Sequence, residues 1–218
     1  PIIPLSAQHR VNIDALIEAI EKHIPTPKRD PDAEPRMFVA RSFDINKPGS
    51  DPLTMKGGIL GGALVQGILK SGQEIEIRPG IKIEREGKTF FEPLTCKVTS
   101  IITGGIVVDE VVPGGSIALQ TSLDPSIVKS DQLSGSIVGN KGKLPTTWTK
   151  IKLDVHLLDR VVGMKEDLKV EPVKKTEALM LNVNSAATVG VVAELSKNLV
   201  DCVLKRPICA DIGARITI

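Results

Sequence analysis

The sequence is poor in aromatic residues and in cysteine. Aromatic side chains make up 2% of the 218 residues, with no tyrosine and one tryptophan, and cysteine occurs three times. Cys96, Cys202 and Cys209 have no CxxC spacing, so neither a zinc site nor a disulfide framework is supported. The core must therefore consist of valine, isoleucine and leucine. The cysteines are expected to be small buried residues of a protein in a reducing, cytoplasmic compartment.

Long apolar runs and a strong excess of one charge are also missing. No stretch reaches the roughly 18 apolar residues of a membrane span, and the first residues lack the basic segment of a signal peptide, so no membrane partner is predicted. The net charge is +2, so any nucleic-acid binding must come from a local patch. His9, His23 and His156 are too scattered to predict a metal site.

Motifs for nucleotide hydrolysis are missing as well. The pattern GxxxxGK[ST] does not occur, so nothing predicts a loop that cradles phosphates. Asn46-Lys47 and Asn140-Lys141 are not followed by the aspartate that guanine recognition requires. No Ser/His/Asp order or pair of carboxylates stands out at catalytic spacing. The chain as given is therefore predicted to be no enzyme and to bind no cofactor or metal.

Turn-forming residues and alternating strands dominate what the sequence does contain. It has 19 glycines and 15 prolines, and residues 74–78 and 151–157 alternate between apolar and polar side chains. Pairs such as Pro-Gly and Gly-Gly separate these runs. This pattern predicts a mainly β protein with a sandwich or barrel architecture, and a barrel would leave no unpaired strand edges.

One amphipathic helix precedes the strands. The apolar residues recur at helical spacing, Asn12 is the predicted N-cap, and Pro25 ends the helix; the spaced residues are Ile13, Leu16, Ile17, Ile20 and Ile24. Residues 25–36 hold four prolines and six charged residues, which predict a semi-extended linker. Two consecutive barrels are predicted over residues 37–145 and 148–218, and the second is expected to lack its last strands.

Several stretches together resemble one known family. Residues 37–49 read MFVARSFDINKPG, residues 56–62 read KGGILGG, residues 73–80 read QEIEIRPG, and residues 113–115 read PGG. Their order and spacing resemble the second domain of the gamma subunit of archaeal and eukaryotic initiation factor two, more closely than elongation factor Tu. Residues 157–163 (LLDRVVG) and 179–183 (LMLNV) resemble the third domain of that family, in an archaeal-like form.

The resemblance implies a division of labour along the chain. Residues 1–24 resemble the C-terminal end of a GTP-binding domain, in which Ser6-Ala7 corresponds to the last guanine-recognition element. Residues 37–145 and 148–218 resemble domains II and III of the elongation factor Tu type. The parent protein would be a GTPase that binds GTP or GDP with magnesium. Its implied partners are methionylated initiator tRNA, the alpha and beta subunits of the factor, and the small ribosomal subunit.

Two sets of binding residues follow from the same resemblance. The implied tRNA-binding set lies on or near the first strands of the first barrel and consists of Arg41, Phe43, Lys56, Gly57, Gly58, Gly61, Gly62 and Arg78. The implied subunit-contact set is the loop Asn46, Lys47, Pro48 and Gly49. Each has a plainer alternative: glycines serve barrel bends, Phe43 serves the core, and the loop is a surface turn. Related elongation factors and a stand-alone barrel enzyme are the alternative functions.

Overall fold

The computed structural model describes residues 1–159 and 169–218, and strands are the commonest secondary structure among them. A closed six-stranded barrel is followed by a curled, half-open sheet, and helices are few. The prediction of a mainly β architecture with two barrel-type domains after one amphipathic helix is therefore confirmed.

The helix α1 spans Ile13–His23, as the periodicity predicts. It contributes no buried residue, and Ile17 and Ile20 are 56% and 44% exposed. Asn12 occupies the N-cap position in a left-handed conformation, but its side chain does not cap the helix and instead donates to the carbonyl oxygen of Pro4 at 2.9 Å. The apolar face that identifies the helix thus lies outside both cores of the described residues.

The barrel is formed by residues 36–139. Its strands are β1 (Arg36–Phe43), β2 (Ile59–Gln66), β3 (Leu69–Lys70), β4 (Glu74–Arg85), β5 (Lys88–Thr103), β6 (Ile106–Val108), β7 (Glu110–Val111), β8 (Ile117–Thr121) and β9 (Ile137–Gly139). Neighbouring strands pair in the order β4-β9-β1-β2-β8-β5, and β5 also pairs with β4, which closes the barrel. In addition, β6 pairs with β5, and β3 pairs with β7. A four-residue helix, α2 (Pro125–Val128), and 3-10 turns at Pro52–Thr54 and Lys129–Asp131 were not predicted.

The barrel core is aliphatic, as the shortage of aromatic residues requires. Residues such as Val39, Leu60, Ile75 and Leu119 are fully buried in one cluster that also includes Cys96. Buried positions alternate with less buried ones along β8 and, apart from an irregularity between Val39 and Arg41, along β1, which is the period-two pattern of a strand with one buried face. All of the strand pairs that close the barrel are antiparallel.

The second unit is a five-stranded antiparallel sheet. Its strands are β10 (Thr147–Asp154), β11 (Ala178–Val183), β12 (Ala186–Ser196), β13 (Leu199–Cys209) and β14 (Ile216–Thr217), in the order β10-β13-β12-β11-β14. Within the described residues, the edge strands β10 and β14 do not pair with each other, so the sheet is a half-barrel rather than a closed one. Trp148 packs on its core, and its indole N–H donates to the carbonyl oxygen of Ala210. Residues 160–163 of the LLDRVVG motif lie outside the described residues.

The segment before β1 lies closely against the barrel. The backbone N–H of Gly67 donates to the carbonyl oxygen of Asp30 at 2.8 Å, and the Gln66 amide donates to the carbonyl oxygen of Glu34. A Cβ atom at Gly139 would lie 2.3 Å from the carbonyl oxygen of Pro35, so only glycine allows this approach. The part of the predicted linker near residues 30–36 is therefore fixed by contacts, while the domain boundaries themselves stay a prediction.

Direct contacts join the barrel to the half-barrel. The Arg206 guanidinium of β13 donates to the carbonyl oxygens of Gln132 and Ser134, at 3.3 and 2.9 Å. Arg36 at the start of β1 forms an ion pair with Asp211. Ala186 lies so close to Gly135 that a Cβ atom on the glycine would be 2.8 Å from the Ala186 Cα atom. These contacts bring the β11–β12 turn next to the first strands of the barrel.

Candidate nucleic-acid and subunit interface

Two adjoining grooves cross the barrel surface beside the end of β1, and Phe43 lines both of them. Phe43 is 39% exposed, so its ring is only partly withdrawn from solvent. Phe43 is therefore not the core residue of the plainer alternative, because it belongs to none of the three hydrophobic core clusters of the described residues. A half-exposed aromatic ring between two grooves offers a flat apolar surface to a ligand on either side.

The first of these, here called the junction groove, lies between the barrel and the half-barrel. It has a volume of about 480 Å³ and is lined by Phe38, Arg41 and Phe43 of β1, Gly61 and Gly62 of β2, Ser116 and Ile117 near β8, and Asn184 and Ser185 of the β11–β12 turn. Four members of the predicted tRNA-binding set therefore meet in one place: Arg41, Phe43, Gly61 and Gly62. The polar residues of the β11–β12 turn come from the other unit, which no short-range sequence pattern indicates.

The second, here called the loop groove, lies on the other side of Phe43. It has a volume of about 560 Å³, and its lining includes Asp44, Asn46, Lys47, Pro48, Gly49, Met55, Lys129 and Ser130. All four members of the predicted subunit-contact set line this groove. Lys47, Pro48 and Gly49 are exposed, whereas Asn46 is half-buried.

Asn46 holds the loop in shape through its side chain. Its amide nitrogen donates to the Lys56 carbonyl oxygen at 2.7 Å, and its amide oxygen accepts the Lys56 backbone N–H at 2.8 Å. The Asp44 carboxylate accepts the backbone N–H of Asn46, and this hydrogen bond is the main cause that lowers the pKa of Asp44. Asn46 therefore ties the two ends of the loop together, while Lys47 to Gly49 remain free to face a partner.

The glycine cluster separates into two kinds of position. A Cβ atom would lie 1.8 Å from the Thr121 carbonyl oxygen at Gly57, 2.5 Å from the Val128 side chain at Gly58, and 1.9 Å from the Phe38 carbonyl oxygen at Gly62. Barrel packing alone accounts for these three glycines. At Gly61, the nearest atoms would be 3.8 Å away, on Arg41 and Phe43. Packing does not require glycine there, and the missing side chain leaves the junction groove open.

Arg41 lies at the rim of the junction groove in an ion pair with Asp131. Its Nε–H donates to both carboxylate oxygens, at 2.9 and 3.0 Å, and 69% of the arginine side chain is exposed. The hydrogen bond from Arg41, together with one from the Ser42 backbone, lowers the pKa of Asp131. The hydrogen bond to Asp131 in turn raises the pKa of Arg41. Both groups are therefore charged at neutral pH.

The segment that carries Asp131 is held tightly against β1. Ser42 is 1% exposed; its hydroxyl donates to the Val128 carbonyl oxygen at 2.9 Å and accepts the Leu133 backbone N–H at 3.1 Å. Ser130 and Asp131 both have positive φ angles, 53° and 56°. Two successive non-glycine residues in this region are strained, and such strain persists only where surrounding contacts impose it.

Lys56 and Arg78 do not join the other predicted tRNA contacts in either groove. The Lys56 side chain is exposed, and its backbone is bound by Asn46. The Arg78 Nε–H donates at 2.8 Å to Glu76, a carboxylate that also accepts the backbone N–H of Gly142. Arg78 therefore has an internal partner on β4, and a role in binding tRNA stays a prediction for it.

Ser6 and Ala7 form a tight exposed turn before α1. Ser6 and Val11 exchange backbone hydrogen bonds at 3.1 and 3.2 Å, and the Ser6 hydroxyl accepts the His9 backbone N–H. This geometry shows a compact loop, and guanine recognition by it stays a prediction.

Comparison with known proteins bears on all of these residues together. The family description "Initiation factor eIF2 gamma, C terminal" matches residues 149–218. Over all 218 residues, the chain is 55% identical to translation initiation factor 2 subunit gamma of Methanocaldococcus jannaschii, 52% identical to that of Archaeoglobus fulgidus and 50% identical to that of Thermococcus kodakarensis. The chain belongs to the gamma-subunit family of translation initiation factor 2. It spans about half the length of these relatives, 53%, 51% and 53% respectively.

Several residues in or near the two grooves were not predicted from the sequence. Lys129 lines the loop groove, and Asp131, 90 residues after Arg41, pairs with that arginine at the rim of the junction groove. Asn184 and Ser185 come to the junction groove from another sheet. Met55 lines the loop groove and is 41% exposed, and Ile45 and Leu53, which are close to groove residues in the sequence, are 44% and 94% exposed. The only sequence feature that could have indicated this surface is that Leu53 and Met55 are apolar residues in a stretch rich in proline, glycine and charged residues.

Among residues 1–159 and 169–218, there is no group of three histidine, cysteine, aspartate or glutamate residues that could hold a metal ion. In the same residues, no helix has the length and apolar character needed to span a membrane.

Proposed function

We propose that this chain is the tRNA- and subunit-binding barrel portion of a translation initiation GTPase, which delivers methionylated initiator tRNA to the small ribosomal subunit in the cytoplasm. The relatives carry the name of an initiation factor subunit, and the chain matches them along its whole length. GTP or GDP with magnesium would be bound elsewhere in the longer protein. The role of these barrels would be binding and relay, without covalent chemistry.

The observation that carries the proposal is the pair of adjoining grooves that share Phe43. The junction groove combines an exposed arginine, a phenylalanine ring and an open glycine position. An arginine binds phosphate through a planar pair of N–H groups, and an aromatic ring stacks on a nucleobase. This combination suits the terminal nucleotide of an RNA strand better than a globular protein surface.

The loop groove suits a protein partner instead. Met55 exposes apolar surface in it, Ile45 and Leu53 are exposed apolar residues of the same loop segment, and Lys47 and Lys129 add positive charge. Exposed apolar side chains ringed by charged ones are typical of protein interaction sites. We assign this groove to the alpha subunit of the factor, and the beta subunit is assigned to no described surface.

The tRNA half of the proposal is tested by filling the junction groove at Gly61. The chain is joined to the upstream half of the Methanocaldococcus jannaschii relative, and binding of methionylated initiator tRNA is measured with GTP and with GDP. Replacing Gly61 with leucine would place a side chain between Arg41 and Phe43, and we expect about tenfold weaker binding from the lost stacking contact. Thermal unfolding of the same variant should stay nearly unchanged, because a Cβ atom at Gly61 would have its nearest atoms 3.8 Å away and the rest of the side chain would extend into the groove.

Thr89→Leu, at an exposed position in β5, is the matched control and should bind as the unmodified fusion does. Equal binding by Gly61→Leu and Thr89→Leu would contradict the assignment of the junction groove. Equal affinity for elongator and initiator tRNA would favour a related elongation factor. Turnover of nucleotide by the 218-residue chain alone would favour a stand-alone enzyme.

The subunit half is tested by calorimetry with the 218-residue chain and the isolated alpha subunit. We expect binding to survive without the upstream half, because the loop groove is formed entirely by the barrel. Replacing Leu53 and Met55 together with serine should weaken binding by at least tenfold, because burying a leucine or methionine side chain against a partner contributes roughly 1.5–3 kcal/mol. The absence of heat with the unmodified chain at high concentration would reject this assignment.

A further inference from the structure

We infer that Asp131 is a positioning residue for anion recognition: it holds Arg41 so that the free guanidinium fork faces a phosphate of the bound RNA end. This inference rests on the proposed function, because it assigns the ligand of the junction groove. It goes beyond that function in naming a residue that does not itself contact the RNA, yet determines how the arginine does.

The first support is the way in which the arginine is held. Both Asp131 oxygens accept the single Nε–H, at 2.9 and 3.0 Å. The two terminal nitrogens of Arg41 have no acceptor among the described residues, and 69% of the side chain is exposed. A carboxylate that grips only Nε leaves the paired terminal N–H groups free. These groups bind phosphate in a bidentate manner.

The second support is that Asp131 is itself immobilised. Its Oδ1 atom also accepts the Ser42 backbone N–H at 2.9 Å, so the carboxylate is fixed to β1 independently of the arginine. The buried Ser42 hydroxyl fastens the two ends of the same segment to β1, through Val128 and Leu133. The left-handed backbone at Asp131, with φ 56°, turns its side chain back to this strand. The arginine is therefore held by a rigid group.

The third support is the position of the arginine relative to the groove. Arg41 pairs with Gly61 across β1 and β2, and the open space at Gly61 is bounded by Arg41 and Phe43. A nucleotide whose base stacks on Phe43 would bring its phosphate to the adjacent strand position. Fixing the arginine beforehand removes the loss of side-chain freedom that otherwise opposes binding.

A competing effect makes the inference testable. The negative charge of Asp131 also neutralises Arg41 and, considered alone, would weaken attraction for an anion. If this masking dominates, removing the charge strengthens binding of RNA. If positioning dominates, removing the charge weakens it. Asp131→Asn distinguishes the two, because asparagine has nearly the same shape, still accepts the Ser42 N–H and tolerates the left-handed conformation.

The experiment uses the 218-residue chain and the RNA trinucleotide CCA, the universal end of tRNA, in nuclear magnetic resonance titrations at low salt. We expect Arg41→Gln to bind about tenfold more weakly, as for the loss of a charge-assisted contact, and Asp131→Asn about threefold more weakly. The double variant should bind no more weakly than Arg41→Gln, because Asp131 acts only through Arg41. In Asp131→Asn, the Arg41 Nε–H signal should show increased fast motion while the melting temperature stays unchanged. If Asp131 served only the stability of the fold, its replacement would lower the melting temperature instead.

Asp124→Asn is the matched control, because it removes the same charge from an exposed aspartate that caps α2 through Ser126 and does not contact Arg41. It should leave both CCA binding and the Arg41 signal unchanged. Tighter binding by Asp131→Asn, or unchanged binding with a mobile arginine, would overturn the inference while leaving the proposed function in place. Failure of the unmodified chain to bind CCA would overturn the RNA assignment of the groove and this inference with it.

Discussion

The barrel and the half-barrel are built from the same aliphatic strands, yet they differ in how strictly their geometry is fixed. In the barrel, β5 returns to β4, and seventeen buried residues share one core cluster. The half-barrel buries ten residues in its cluster, and its edge strands remain unpaired to each other in the described part of the chain. Closure leaves each barrel strand confined from both sides, whereas an open sheet can spread. Ligand grooves that need fixed geometry are correspondingly lined mostly by the barrel.

The largest expected difference lies in one matched pair of glycines. At Gly62 in the barrel, a Cβ atom would be 1.9 Å from the backbone oxygen of Phe38; at Gly190 in the half-barrel, it would be 2.6 Å from the end of the Leu181 side chain. We expect Gly62→Ala to reduce the free energy of unfolding by at least about 3 kcal/mol, since strands in a closed barrel cannot separate. Gly190→Ala should cost about 1 kcal/mol, since a side chain can change rotamer. Denaturant unfolding measures both.

Gly61→Ala is the control for the pair. It lies beside Gly62 on β2 but has 3.8 Å of room, so its effect should lie between zero and a gain of about 0.5 kcal/mol from a less flexible unfolded chain. Equal losses of unfolding free energy for Gly62→Ala and Gly190→Ala would show that closure does not make the barrel less tolerant of an added atom than the half-barrel. A loss at Gly61 as large as that at Gly62 would show that β2 tolerates no added atom anywhere.

Much of the fold could be predicted because it depends on local patterns. The helix at Ile13–His23 follows from the spacing of its isoleucines, and strands β4 and β10 follow from alternation. The sequence predicts that the second barrel lacks its last strands, and this stays a prediction. The described strand pairing shows an open sheet with β10 and β14 at its edges. Asn12 occupies the predicted N-cap position, but its side chain does not cap the helix; its amide nitrogen donates to the carbonyl oxygen of Pro4 instead.

The site was less predictable, because its partners are distant in sequence. Family resemblance indicated Arg41, Phe43 and Gly61, and the structure brings these three residues together. Asp131, however, is 90 residues from Arg41 in the sequence, and Asn184 comes from another sheet. Sequence reasoning could not separate Gly61 from Gly57, Gly58 and Gly62, since the distinction is a matter of which atoms lie opposite each Cα. Arg78 pairs through Nε with Glu76 much as Arg41 pairs with Asp131, but its side chain is 27% exposed, against 69% for Arg41, and it lines neither groove.

A smaller effect is expected from cutting the link between the two units at Arg206. Burial lowers the pKa of this arginine from its usual value, and its Nη2 group donates to Ser134 at 2.9 Å and to Gln132 at 3.3 Å. Arg206→Met keeps much of the apolar stem and removes the donors, so two barrel carbonyl groups lose a charged partner. We expect a loss of about 2 kcal/mol and a thermal transition that broadens or splits as the half-barrel unfolds first.

Lys205→Met, at the exposed neighbouring position, is the control for Arg206 and should leave the transition unchanged. If Arg206→Met also unfolds in one sharp transition with no loss, the Arg206 hydrogen bonds do not couple the two units. The remaining contacts, the Arg36–Asp211 ion pair and the approach of Ala186 to Gly135, would then be sufficient.

The smallest effect is expected in the reactivity of two buried cysteines, one in each unit. Burial raises the pKa of Cys96 in β5 to about 11 and also raises the pKa of Cys202 in β13, so at pH 8 both thiols are protonated and unreactive while folded. Labelling then requires local opening, after which the thiol ionises near its ordinary pKa. In variants that keep one of these cysteines and replace the other two with alanine, we expect Cys202 to react several times faster than Cys96. An open sheet separates at its edges with fewer lost contacts than a closed barrel. Faster labelling of Cys96 would mean that the barrel opens before the half-barrel and that closure is not the source of its rigidity.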